Sequence, residues 1–106
     1  NIQEMERVKI LRYENGGKYK WHTDCGSKET SLRKLTAIVQ LSDETKYEGG
    51  NLEFGITDKS GKNNYTAPRT RGSITIFPAF LSHRVTPVTK GRRYSLITWM
   101  LGDCFV

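Results

Sequence analysis

Along the chain, β-branched and aromatic residues gather in short runs, and turn residues break each run before a helix could develop. Residues 8–13 (VKILRY) read as a strand that stops at the turn signal Glu14, Asn15, Gly16, Gly17. Residues 19–24 (YKWHTD) alternate bulky and polar groups and end at Gly26. Residues 35–41 (LTAIVQL) are almost continuously apolar, the pattern of a strand buried on both faces. Further strands are expected at 51–54, at 65–67, at 73–77 before Pro78, at 83–85 with Val88, and at 93–101 after Gly91. The polar stretches 27–34, 42–50 and 58–64 read as loops, and the only helical candidate is the short segment 1–6. No stretch keeps an i, i+3, i+4, i+7 apolar pattern over the roughly 11 residues an amphipathic helix needs. About eight strands with little or no helix predict an all-β fold, a sandwich or barrel, with a jelly roll as the best fit.

Composition narrows the class. The 106 residues suit one domain, and 36% hydrophobic residues suffice for one modest core. No run approaches the roughly 18 apolar residues of a membrane span, and no charged segment followed by an apolar one opens the chain. These features point to a cytoplasmic protein. Seventeen Lys and Arg against eleven Asp and Glu leave a net charge of +6, which keeps nucleic acid open as a partner without specifying it. Cys25 and Cys104 form no CxxC pair, and free thiols are expected unless the compartment is oxidising.

The chemistry-bearing residues are few. His22 and Asp24 stand two apart in a strand-like run, so both side chains leave one face about 6–7 Å apart along the strand. The only other histidine is His83, on a late strand. Two imidazoles and one carboxylate are the facial triad of non-haem Fe(II) oxygenases, which leaves adjacent metal positions open. Arg93 follows His83 by ten residues and shares strand parity with Ser95, Ile97, Trp99 and Leu101. Three apolar partners on that face turn Arg93 toward the core, where a guanidinium needs an anion. Arg92, on the opposite face, reads as a solvated turn residue.

These motifs resemble the Fe(II)- and 2-oxoglutarate-dependent dioxygenases, in the prolyl-4-hydroxylase-like branch. The resemblance is carried by Tyr13, the run Tyr19 to Asp24, the segment Leu41, Ser42, Asp43 leading to Tyr47, Glu48, Gly49, Gly50, and the run His83 to Arg93. The closing HRVTPVT segment looks most like the PKHD-type hydroxylases, and the likeness spans residues 8–101. It implies a double-stranded β-helix, a cupin-like jelly roll. It implies Fe(II) held by His22, Asp24 and His83, with Arg93 on the distal carboxylate of 2-oxoglutarate. Tyr13 and Trp99 match positions that line the cosubstrate pocket, and Ser95 would add a hydroxyl to the cosubstrate carboxylate. Gln40 stands where some relatives have a tyrosine on the distal carboxylate, so glutamine is a departure there. Gly49 and Gly50 match a structural turn.

The implied reaction consumes O2 and 2-oxoglutarate, releases succinate and CO2, and hydroxylates a C–H of a peptidyl (prolyl-type) or amino-acid substrate, with ascorbate keeping the iron reduced. Two rival readings are a nucleic-acid oxidative demethylase of the same fold and a non-catalytic cupin-like metal-binding module. The demethylase branch carries an Asn two residues after its strand arginine, and this chain has Ser95. Nucleic acid is therefore the less favoured partner, and a complete ligand set with Arg93 argues against an inert module. Relatives usually carry helices ahead of the first barrel strand, whereas only seven residues precede Val8 here. The chain is thus either a minimal barrel, one catalytic domain over 1–106, or a fragment without its helical support. A fragment would leave an apolar sheet face uncovered and prone to pair as a homo-oligomer.

Overall fold

A computed structural model describes residues 2–26, 32–57 and 63–102. They contain ten strands: β1 (Ile2–Met5), β2 (Lys9–Glu14), β3 (Tyr19–His22), β4 (Arg33–Gln40), β5 (Tyr47–Gly49), β6 (Leu52–Thr57), β7 (Asn63–Thr66), β8 (Ile74–Pro78), β9 (His83–Val85) and β10 (Val88–Gly102). Each of the eight expected strands has a counterpart. Two are additional. The segment read as a helical start is instead β1, because its backbone groups pair with the end of β10. The stretch 42–50 is not all loop: a 3-10 turn, Glu44–Lys46, is capped by the Asp43 side chain, and β5 follows it. Arg33 and Lys34 join β4, and Asn63 and Asn64 join β7. The rest of those two expected loops, 27–31 and 58–62, and Cys104 lie outside the described residues.

β10 organises the larger sheet. At 15 residues it is long enough to serve two strands on each edge. β2 and β1 lie antiparallel along one edge, β5 and β4 along the other, and β8 closes the sheet beyond β4. The smaller sheet runs β3-β9-β6-β7, also antiparallel. Their inner faces meet in one core: Tyr13, Ile38, Phe77, Ile97 and Trp99 from the larger sheet against Leu52, Phe54 and Val85 from the smaller. This is the double-stranded β-helix, a jelly roll. The parity expected of the last strand holds, with Arg93, Ser95, Ile97 and Trp99 all buried.

The outer face of the larger sheet is apolar. Ile10 lies opposite Leu96, Leu96 opposite Val39, and Val39 opposite Ile74, so the four form one row across four strands. Ile10, Ile74 and the neighbouring Ile76 are 68%, 63% and 58% exposed. Among the described residues no helix is long and apolar enough to cross a membrane.

Candidate metal and carboxylate site

His22 ends β3 and His83 begins β9, and the two strands pair so that these residues face each other. Asp24 lies past the end of β3, in a bend rather than on the strand expected of it. The bend is fixed because the backbone N–H groups of Asp24 and Cys25 both donate to the Ala79 carbonyl, at 2.8 and 3.0 Å. One carboxylate oxygen, Asp24 Oδ1, thereby stands 3.3 Å from His22 Nε2 and 3.4 Å from His83 Nε2. Ligand atoms of all three residues lie within 4.8 Å of one another.

Each imidazole is oriented from behind. His22 Nδ1 donates to the Lys20 carbonyl at 2.6 Å and His83 Nδ1 to the Leu81 carbonyl at 2.8 Å. A proton fixed on Nδ1 leaves the Nε2 lone pair for a metal, the usual device by which outer partners set the tautomer of a ligand. The His83 ring packs edge-on against Phe77 at 4.7 Å, and Tyr19 stacks on His22 at 3.9 Å. Without a metal, burial disfavours the Asp24 charge, but hydrogen bonds from His22, His83 and Thr36 outweigh it and hold the carboxyl well below its ordinary range; a bound metal would take the place of the Nε2 protons in that arrangement. Thr36 is fully buried, and its hydroxyl donates to Asp24 Oδ2 at 2.6 Å. The buried Trp99 Nε1 lies close enough to add to this effect, although it makes no hydrogen bond of full geometry. Neither Thr36 nor the Ala79 carbonyl was visible as a site group in the sequence, where Thr36 is one polar residue in an apolar run.

A cavity of about 150 Å³ opens between the sheets with the triad at one side. Tyr13, Arg93, Ser95 and Trp99 line it together with His22, Asp24 and His83. Arg93 is 3% exposed and sits directly across from Tyr13 in the β10–β2 ladder, its guanidinium carbon 5.4 Å from the Tyr13 ring centre. Burial lowers the Arg93 pKa from its ordinary value, against which the nearby Tyr47 hydroxyl works. Ser95 Oγ lies 3.5 Å from Arg93 Nη1. Gln40 is placed differently from these. It is opposite Ser95 in the β4–β10 ladder and buried, but its amide donates to the Tyr47 hydroxyl and it does not line this cavity.

The donor set fits a divalent transition metal held by two imidazoles and one carboxylate with further positions open. A buried guanidinium lining the same cavity fits a carboxylate that enters with the metal-bound molecule. The family model of the 2OG-Fe(II) oxygenase superfamily matches residues 8–101. Among curated proteins, the chain is 34% identical over 98 residues to a PKHD-type hydroxylase of Idiomarina loihiensis, covering 92% of this chain and 43% of that protein. It is 30% identical over 99 residues to one of Synechococcus sp. strain CC9605, covering 93% and 43%. The chain thus spans less than half the length of these relatives. Among solved structures, a prolyl-4-hydroxylase of Pseudomonas putida superposes with a TM-score of 0.79 at 22% identity, covering 94% of this chain and 54% of that one. A prolyl hydroxylase of Trichoplax adhaerens, solved with a hypoxia inducible factor peptide fragment, gives 0.76 at 17% identity, covering 94% and 45%.

Proposed function

The chain belongs to the 2OG-Fe(II) oxygenase superfamily, and from that premise we propose that residues 1–106 form one catalytic domain that hydroxylates a C–H of a peptidyl, prolyl-type or amino-acid substrate. His22 Nε2, His83 Nε2 and Asp24 Oδ1 would hold Fe(II), and Arg93 would bind the distal carboxylate of 2-oxoglutarate. The bound iron with 2-oxoglutarate and O2 supplies the oxidising chemistry, with succinate and CO2 as coproducts and ascorbate as the reductant that keeps the iron ferrous. The protein's own part is orientation and dryness. Nδ1 protons on Lys20 and Leu81 carbonyls aim both imidazoles, Thr36 turns the carboxylate, and Tyr13, Ile97 and Trp99 give the cavity apolar and aromatic walls. The observation that carries this reading is the pairing of a converged His, Asp, His set with a buried arginine across one cavity.

The test is an anaerobic titration of the chain with Fe(II) and 2-oxoglutarate, followed by visible absorption. A metal-to-ligand charge-transfer band should grow in with both ligands and be absent in His83→Ala. No band with the native chain, or an unchanged band in the variant, overturns the assignment. A peptide-library screen by mass shift then separates a hydroxylase from an inert metal-binding module.

A further inference from the structure

Four of the eight arginines of this chain pair with glutamates among the described residues. Arg33 pairs with Glu6, Arg84 with Glu53, and Arg12 and Arg92 both with Glu14. Arg93, buried more deeply than any of these, has no carboxylate partner among the described residues. Its contact on the side away from the metal is a phenol. Tyr47 is 4% exposed, its hydroxyl accepts a hydrogen bond from Gln40 Nε2 at 2.5 Å, and its ring lies beside the Arg93 side chain: a Cβ on Gly50 would stand 3.4 Å from Tyr47 Cε2 and 3.0 Å from Arg93 Cδ. Gln40, Tyr47 and Arg93 border a second void of only about 10 Å³, room for one water, which the metal triad does not reach.

Tyr47 is itself locked. The Arg69 guanidinium lies 4.3 Å over its ring, and Arg69 Nη1 donates to the Gly49 carbonyl at 2.6 Å and to Asn51 Oδ1 at 2.5 Å. Gly50 lets the strand pass close: a Cβ there would stand 3.0 Å from Arg93 Cδ and 2.8 Å from Val88 Cγ2. A carboxylate in the place of Tyr47 would cancel the guanidinium charge inside the protein. A phenol oxygen offers an acceptor with no formal charge, so it can fix direction and leave the charge unspent.

We propose that Tyr47, aligned by Gln40, is a positioning residue that aims the Arg93 guanidinium into the metal-side cavity while leaving it un-neutralised for the distal carboxylate of the 2-oxo acid. The hydroxyl comes from β5, and Gln40 on β4 serves to orient it. This inference rests on the function proposed above.

The experiment measures Kd of the anaerobic, Fe(II)-loaded chain for 2-oxoglutarate and for 2-oxopentanoate, which keeps the 2-oxo acid head and lacks the distal carboxylate. Tyr47→Phe should weaken 2-oxoglutarate about tenfold or more, the usual effect of a lost hydrogen bond to a charged group, and leave 2-oxopentanoate and Fe(II) affinity unchanged. Gln40→Glu, of nearly equal size, should pull the guanidinium back onto an internal carboxylate. It should weaken 2-oxoglutarate at least about a hundredfold without lowering Tm, which separates the effect from misfolding. Equal loss for both acids in Tyr47→Phe, or native-like 2-oxoglutarate binding in either variant, overturns the role of Tyr47. A native chain that binds no 2-oxoglutarate overturns the proposed function with it, so the two failures are distinguishable.

Discussion

Thr36 shows how much of the site is decided one residue behind the ligands. Its hydroxyl, with no solvent exposure, gives Asp24 Oδ2 a partner at 2.6 Å and leaves Oδ1 facing both imidazoles. Thr36→Val keeps the β-branched shape and removes only that donor, so the carboxylate loses its orientation and gains an unsatisfied buried oxygen. Metal affinity should fall about 10–100-fold, the usual range for such outer partners, while the fold persists. Titration with Fe(II) or Mn(II) beside a thermal melt checks this, and native-like metal affinity in the variant would remove Thr36 from the site. The sequence could name His22, Asp24 and His83 because only two histidines exist and the HxD spacing is local. It could not name Thr36 or Tyr47 as site groups, since Thr36 meets Asp24 only where the larger sheet packs on the end of β3, and Tyr47 meets Arg93 only where β5 pairs with β10.

At the level of elements, parity did most of the work. Alternation along the last strand turns Arg93 inward because Ile97 and Trp99 must be buried, and the structure keeps that phase from Arg93 to Trp99, with register shifts on either side. The misread pieces, β1 and β5, are short and polar, and they become strands only because β10 offers them an edge. Propensity carries no record of such an edge. The Gly49 and Gly50 pair, expected as a plain turn, is tighter than that. Gly49 has φ +75° and a Cβ on it would sit 2.1 Å from the Pro87 carbonyl oxygen, where β5 meets the start of β10. Gly49→Ala must therefore move one strand off the other and also accept a left-handed backbone. A stability loss of at least ~2 kcal/mol is expected in urea melts. Because β5 carries Tyr47, weaker 2-oxoglutarate binding should accompany it. An alanine variant as stable as the native chain would show that the β5–β10 contact bears no load.

On the scale of the whole molecule, the two faces of the larger sheet make opposite demands. The inner face is satisfied by the smaller sheet, and the cavity left between them is where polar groups converge. The outer face has no such partner among the described residues: Ile10, Leu96, Val39 and Ile74 run in register across it, with Ile76 beside them. An apolar row of this width across a twisted sheet is the kind of patch that monomers in water seldom keep open. The net charge of +6 opposes association over distance, but it is screened within about 10 Å at 0.1 M salt, so it sets the concentration at which pairing begins rather than preventing it. The 106-residue chain on its own is therefore expected to self-associate face to face. Light scattering at rising concentration should show a dimer that grows with added salt, the opposite of what an ion-paired interface would do. The double variant Ile10→Lys, Ile74→Lys, which touches neither the inner face nor the cavity, should return it to a monomer with Fe(II) binding intact. A native chain that stays monomeric at the highest concentrations reached would mean that the exposed row is too small, or too strongly repelled, to hold a second copy.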